Sequence, residues 1–514
     1  MGKGGFMRLG AAALLMMCAP LAAADERQDL ETLRATTLKL IQLLVSEGLL
    51  SQEKANALIR EAQGAPVAPG EKPKPVVRVP YVPENVKQEI KDQLREEVMA
   101  QAKAERWADP GRLPEWADRV TIEGDVRLRA ESDKLDPNNA PAAFFQAQGQ
   151  NINNTTEDTE RLRLRARLGF RASVAEGVET GFQLATGSSG STGNPTSVNN
   201  TLGDSFNRQS AGIDLAYVTW RPDYWLMLSG GRIRNPFFAS DLVWAPDLNF
   251  DGIVASVRPL VREDLRPYFT VGAFPLKYNE PDPTQPVRKN KWLYGTQLGL
   301  DYGRTEGTLL RLGAAYYDYH NIEGIPNTDP LNPNLYDWTA PQFRQRGNTL
   351  FPINLFGNPT LFGLASQFQI VNLTAEVGLR YDDLRRASFL VDWAKNIGFD
   401  SNEIAQRTAG IVTDLPAKNV AVQYRAGFGH RLIERWGDWF AYGAYKRVEA
   451  NAVLDAFVEG DFNLGGTNAK GWILGGGYGV ARNSWIGLKY TTANQIDGPP
   501  LAIDTLMLDF NARF

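Results

Sequence analysis

Short segments in which apolar and polar residues alternate strictly fill the chain from about residue 120 to its end. In the last segment, Leu506, Phe510 and Phe514 share one face of an extended strand, while Asp509 and Arg513 share the other. This alternation predicts a strand with lipid on one face and water on the other. Taken alone, the stretch is also compatible with the edge strand of a soluble β-sandwich.

The sharpest alternation lies between residues 161 and 172, where arginine recurs at every second position with one exception. A helix would spread these side chains around its circumference, whereas a strand places them all on one face. The segment 120–129 adds two arginines that share the parity of its other polar residues. The candidate pore-lining residues are Arg127, Arg129, Arg161, Arg163, Arg165, Arg167 and Arg171.

Sixteen such segments lie between residues 120 and 514, and the connections between them alternate in length. Tight turns such as Ala175–Gly177 and Arg221–Asp223 alternate with long loops, the longest covering residues 320–366. Long loops on one side and short turns on the other are typical of outer-membrane barrels, and a soluble sandwich has no reason to sort its loops. The predicted fold class is therefore an all-β transmembrane barrel of about 16 antiparallel strands over residues 116–514. The last strand would pair with the first to close the sheet.

The region before the barrel has a different character. Residues 1–24 have a basic start, an apolar run and a small-residue cleavage site after Ala24, which together predict a secretory signal peptide. Residues 25–63 and 84–108 carry apolar residues at helical spacing, and the Pro-rich stretch 64–83 predicts a stiff linker between them. We expect a short α-helical or coiled-coil segment in the periplasm. It could self-associate or form a helical hairpin at the barrel mouth.

Composition excludes several classes of function. The hydrophobic content of 43% resembles that of a soluble protein but does not exclude a barrel, because only every second strand residue must be apolar. The net charge of −4 gives no sign of nucleic-acid binding. Cys18 is the only cysteine, and the two histidines, His320 and His430, fall near opposite ends of the predicted barrel. The sequence therefore predicts no enzyme, no metal site and no cofactor.

The predicted lumen is rich in positive charge. A barrel of sixteen strands is wide enough to leave an aqueous channel. The candidate arginines outnumber the inward-facing acidic residues of the same strands, so we expect a weak preference for anions. The alternative is that Glu123, Asp125 and Glu179 neutralise the arginines in a structural ladder.

The third long connection, residues 234–251, carries three carboxylates that form a candidate constriction: Asp241, Asp247 and Asp251. If this loop folds inward, its carboxylates face the arginines. The opposed charges would then create a transverse field that orients dipolar solutes. A loop that stays at the surface is the alternative.

Six stretches carry a resemblance to a known family. They are Leu33–Thr37, Gln101–Trp107, Pro114–Trp116, Gly231–Phe237, Gly465–Gly471 and Asn511–Phe514. On these stretches the chain resembles the Gram-negative family of putative porins. The resemblance implies an outer-membrane β-barrel with a periplasmic helical N-terminus. The chain is also similar in strand count to general porins, which are usually homotrimers and fold their third long loop into the lumen.

The resemblance leads us to expect an outer-membrane porin, a water-filled channel for passive diffusion of small hydrophilic solutes. One alternative is a structural protein that tethers the outer membrane to the cell wall through the N-terminal helices, and another is a channel selective for one nutrient class. The expected partners are outer-membrane lipid, two further copies in a homotrimer, and the barrel-assembly machinery. The terminal aromatic strand resembles the signal which that machinery reads, with Phe510 and Phe514 as its key residues.

Overall fold

The computed structural model describes residues 119–188, 193–283, 287–303, 307–354 and 360–514. The predicted signal peptide (1–24), helical segments (25–63 and 84–108) and linker (64–83) lie outside the described residues. Within the described ranges, no helix has the length and apolarity needed to cross a membrane. The strands, in chain order, are β1 (Val120–Leu135), β2 (Thr159–Ala175), β3 (Val178–Thr186), β4 (Asn200–Thr201), β5 (Ala211–Asp223), β6 (Leu226–Arg234), β7 (Asn249–Val257), β8 (Leu265–Lys277), β9 (Lys291–Tyr302), β10 (Leu309–His320), β11 (Leu350–Pro352), β12 (Phe362–Leu364), β13 (Gln369–Arg380), β14 (Arg385–Asn396), β15 (Val420–His430), β16 (Trp439–Val448), β17 (Ala469–Ala481), β18 (Ser484–Gln495) and β19 (Ala502–Arg513).

Sixteen of these strands form one closed antiparallel barrel; β4 is a short addition beside β2, and β11 pairs with β12 in a separate hairpin. Closure occurs where β19 pairs with β1, with Arg513 opposite Asp125. The backbones of Phe514 and Gly124 exchange hydrogen bonds of 3.0 and 3.1 Å at this seam. A Cβ atom on Gly124 would lie 2.4 Å from the Phe514 ring, so the ring needs glycine there. The closed sheet leaves no strand edge facing lipid, and the predicted fold and strand number are confirmed.

The two faces of the barrel wall have opposite chemistry. On the outer face, Leu128, Leu162 and Phe510 each expose about half of their surface, between 46% and 54%. On the inner face, Arg129 and Glu131 expose only 3% and 5%. Exposed apolar residues outside and buried charged residues inside reverse the arrangement of a soluble protein. They match a wall that contacts lipid on its outer face and encloses polar groups within.

The connections sort by length to the two ends of the barrel, as predicted, with one exception: residues 496–501 form a six-residue loop at the long-loop end, whereas the turn 431–438 at the opposite end has eight residues. The connections at the long-loop end are L1 (136–158), L2 (187–210), L3 (235–248), L4 (278–290), L5 (321–368), L6 (397–419), L7 (449–468) and L8 (496–501). Helix α1 (Ala142–Ala147) lies in L1 and helix α2 (Ser401–Arg407) lies in L6. The opposite end carries the shorter turns, the start of β1 and the C-terminal residue Phe514.

The largest apolar core lies inside the barrel. Leu242 and Trp244 of L3, Phe368 of L5 and Val453 of L7 are all buried there against wall residues such as Tyr317. Burial of these side chains holds the three loops within the barrel, because each removes apolar surface from water. The loops thereby narrow the interior and set the position of its charged groups.

Candidate functional site

A ladder of arginines and carboxylates lines the inner face of β1 and β2. The register places Arg127 opposite Arg165 and Arg129 opposite Arg163, and such like-charge pairs destabilise a sheet unless they are compensated. Carboxylates supply most of this compensation. Asp125 lies 2.7 Å from Arg165, and the Glu131 carboxylate lies 3.0 Å from Arg163.

The sequence prediction missed two carboxylates of this ladder, because it ended the first strand at residue 129, whereas β1 continues to Leu135. Glu131 and Asp133 keep the inward parity, and each lies 2.6 Å from Arg161. Glu179, in contrast, does not neutralise β2. Its carboxylate accepts a hydrogen bond from Tyr217 at 3.1 Å and lies 3.8 Å from Arg221. The carboxylates that neutralise the arginines therefore include residues at the end of β1, beyond the strand that the sequence predicted.

At the short-turn end of the ladder, Arg171 lies 3.3 Å from Glu123. The Glu123 carboxylate also forms an ion pair with the guanidinium of Arg234, at the end of β6, at 2.8 Å. A single carboxylate therefore serves two guanidinium groups from distant strands. The compensation of charge here depends on the three-dimensional arrangement and not on neighbouring strands alone.

Arg127 is the exception within the ladder. Its Nη2 donates to Asn199 Oδ1 at 2.6 Å, and it forms no ion pair with any carboxylate in the described residues. Arg425, on β15, stacks its guanidinium 3.9 Å from the centre of the Tyr442 ring and likewise has no described ion pair. Both residues thus present positive charge that no described carboxylate offsets directly.

L3 enters the barrel through a bend made by two glycines. Gly231 on β6 and Gly252 on β7 lie opposite each other in the register and have φ angles of +114° and +150°. A Cβ atom would lie 2.3 Å from the Ala216 carbonyl oxygen at the first position and 2.2 Å from the Ala273 carbonyl oxygen at the second. Only glycine adopts such a conformation at low cost. The tip of the β6–β7 hairpin therefore leaves the wall and turns inward.

The first half of L3 is bonded to the far wall of the barrel. The Ser240 backbone and hydroxyl donate to Asp392 on β14 at 2.8 and 2.6 Å. The Asp241 carboxylate accepts from Gln423 on β15 at 2.6 Å and from Lys446 on β16 at 2.7 Å. Burial opposes ionisation of Asp241, but the charge of Lys446 and the hydrogen bonds to the carboxylate together outweigh it and hold the pKa of Asp241 well below its usual range. Asp241 therefore anchors L3 as a carboxylate.

The second half of L3 returns to the arginine ladder. The Asp247 carboxylate lies 2.7 Å from Arg167 and 3.7 Å from Arg165. The loop thus folds inward, and its two carboxylates face opposite walls instead of both facing the arginines. Asp251 belongs to β7 and not to the loop, and it lies 3.1 Å from Arg232 on β6. Its side chain is 59% exposed and lines a cavity together with Asp214 and Asp247.

L7 contributes two interior carboxylates that the sequence analysis missed. Glu459 lies 3.4 Å from Lys446 and also pairs with Lys489. Asp461 lies 3.0 Å from Arg129 and 3.4 Å from Lys489. No local pattern marks these residues, because their partners are distant in sequence and L7 has no alternation.

The residues that could support other chemistry are separated. His320 ends β10 at the long-loop end and lies 2.9 Å from Asp318, whereas His430 ends β15 at the short-turn end. In the described ranges, no three His, Cys, Asp or Glu side chains are arranged to hold a metal ion. At the C-terminus, Phe510 and Phe514 point outward with 50% and 67% of their surfaces exposed.

Comparisons with known proteins extend this description. A family model described as putative porin matches residues 34–514. The chain is similar to OprB of Pseudomonas putida at high pH, with 12% identity over 78% of this chain and 96% of that one, and a TM-score of 0.45. It is also similar to OmpF of Salmonella typhi in complex with daunomycin, with 10% identity over 77% and 97% and a TM-score of 0.40. The chain is similar as well to the outer-membrane channel DcaP of Acinetobacter baumannii, with 9% identity over 77% of this chain and 97% of that one, and a TM-score of 0.39. No curated protein matches the chain significantly.

Proposed function

We propose, because this chain belongs to the putative porin family, that its barrel is an outer-membrane channel for passive diffusion of small hydrophilic solutes. The observation that carries the proposal is a closed wall with an apolar outer face and a charged inner face. Such a wall places polar groups along a path through lipid, and loops inside the barrel limit the size of what passes.

A weak preference for anions forms part of this proposal. Ion pairs compensate most of the ladder, so the paired arginines contribute little net field at the lumen. Arg127 and Arg425 lack such compensation in the described residues and would attract anions. Asp247 contacts Arg167 directly at 2.7 Å, so this pair also contributes little transverse field beside L3.

Electrophysiology and liposome swelling test this function together. The refolded mature chain should conduct in a planar bilayer, and its reversal potential in a KCl gradient should show modest anion selectivity. Swelling rates should depend on solute size alone. Saturation or competition between solutes would instead indicate a channel selective for one nutrient class, and cation selectivity would contradict the anion preference.

We extend the proposal to the assembly of the protein. The N-terminal segment 25–108 would lie in the periplasm, since the start of β1 is at the short-turn end, and the channel would be a homotrimer. Phe510 and Phe514 would serve the barrel-assembly machinery, because their rings are exposed on the outer face next to the closing seam. Deletion of Phe514 should lower the amount of barrel in the outer membrane, and a normal amount would contradict this role.

A further inference from the structure

L7 lies inside the barrel, against the wall that carries the arginine ladder. Its Asp461 carboxylate lies 3.0 Å from Arg129, which belongs to the inner face because its neighbour Leu128 points outward. L7 is also joined to L3, since the Ala245 backbone N–H donates to the Phe457 carbonyl at 2.8 Å. The two loops therefore narrow the interior as one unit.

Charges alternate in sign along a chain of contacts that L7 completes. The chain runs through Asp241, Lys446, Glu459, Lys489, Asp461, Arg129 and Asp509. Exposure differs sharply along this chain. The Lys446 and Arg129 side chains are only 3% and 4% exposed, and Glu459 is 10% exposed, while Asp461 reaches 23%, the highest value of the seven. A dissolved ion therefore meets the charge of Asp461 more readily than that of its partners.

Asp461 also acts on the uncompensated part of the ladder. Burial opposes ionisation of this carboxyl, but Lys489, Arg129 and Arg127 together hold its pKa below its usual range. Asp461 thus carries a full negative charge at neutral pH. Arg127 occupies the inward position of β1 next to Arg129, which Asp461 contacts at 3.0 Å, so the charge of Asp461 also lowers the positive potential around Arg127.

We propose that L7 is a second constriction loop and that Asp461 is its specificity-determining residue, which keeps the anion preference weak by offsetting Arg127 and Arg129. L3 and L7 then each place one carboxylate against the arginine ladder. L3 places Asp247 against β2, and L7 places Asp461 against β1. This inference rests on the proposed function, because it concerns which ions the same channel admits.

Substitution of Asp461 separates its charge from its structural role. Asp461→Asn should raise the chloride-to-potassium permeability ratio by about 3-fold at moderate salt, because one screened unit charge is removed. Asp461→Glu keeps the charge and should retain the native ratio. Glu434→Gln is a matched control with the same change of charge. Glu434 is 54% exposed beside Arg513 at the short-turn end, so this substitution should leave the ratio unchanged.

Chemical modification tests whether Asp461 lies on the permeation path. The only cysteine, Cys18, precedes the predicted cleavage site, so Asp461→Cys introduces a single thiol into the mature chain. A cationic methanethiosulfonate should raise anion selectivity relative to the unmodified thiol, and an anionic one should lower it. Equal ratios after both reagents, or a native ratio in Asp461→Asn, would overturn this inference while leaving a conducting channel. Absence of current in the unmodified native chain would instead overturn the proposed function.

Discussion

Replacement of Arg127 by glutamine tests how the lumen selects ions. Arg127 is the arginine of the ladder without a described carboxylate partner, so the substitution removes a charge without leaving a buried acid unpaired. Glutamine can still donate a hydrogen bond towards Asn199. We expect Arg127→Gln to assemble normally and to lose part of the anion preference.

The size of this effect follows from Coulomb's law. At about 7 Å in water, a unit charge changes the energy of a hydrated ion by about 0.6 kcal/mol. Chloride gains and potassium loses this energy, so the permeability ratio would carry roughly a 7-fold contribution without salt. Screening with a Debye length of about 10 Å at 0.1 M reduces the expected contribution to about 3-fold. The effect should therefore shrink further as the salt concentration rises.

Reversal potentials measured for native protein, Arg127→Gln and Arg127→Lys in the same KCl gradients provide the assay. The lysine variant keeps the charge and serves as the matched control, with a ratio close to the native one. An unchanged ratio in the glutamine variant would refute the assignment of Arg127 as an uncompensated charge. An equal shift in both variants would refute the electrostatic explanation, because shape and not charge would then be responsible.

Three further changes test the loops. Gly231→Ala should destabilise the folded barrel by about 1–3 kcal/mol, because alanine is strained at this positive φ, and should alter single-channel conductance by displacing L3. Gly230→Ala, where the added Cβ atom would lie 3.5 Å from its nearest neighbour, should leave conductance unchanged. Equal effects of the two substitutions would contradict the glycine bend. Lys446→Met leaves two buried carboxylates without their shared cation and should destabilise the barrel by about 3–5 kcal/mol in urea unfolding, and a native midpoint would contradict this role. Burial raises the pKa of Asp455 in L7 to about 7, so the folded chain binds this proton more tightly than the unfolded chain and loses stability as pH rises from about 4 through 7. Asp455→Asn should therefore stabilise the protein at pH 8, by up to roughly 4 kcal/mol, and much less at pH 5, and equal thermal shifts at both pH values would contradict it.

The wall of the barrel could be predicted from local sequence. Each strand separates lipid from the interior, so the requirement for an apolar residue recurs at every second position regardless of which strands are neighbours. The faces on which residues such as Leu128 and Arg129 lie can therefore be assigned from the sequence without knowledge of the fold. The closing pair of strands was also predictable, because a barrel in lipid cannot leave its first and last strands unpaired.

The lumen could be predicted only in part. The seven arginines were identified, but their compensation was not, because the end of β1 was placed too early and Glu131 and Asp133 were left out. The inward fold of L3 followed from a resemblance and not from its residues. Gly231 and Gly252 have separate positions in the sequence, and their pairing as one bend exists only in the register of β6 and β7.

The sequence by itself determined the class of the protein, the number of its strands and the face of most strand residues, because solvent and lipid act on each segment independently. Tertiary structure alone decided which charges remain uncompensated. Asp461 lies 332 positions from Arg129 in the chain and meets it only after L7 folds inside a closed barrel. Ion pairing depends on separations of a few ångströms between distant segments, and no local pattern records such separations.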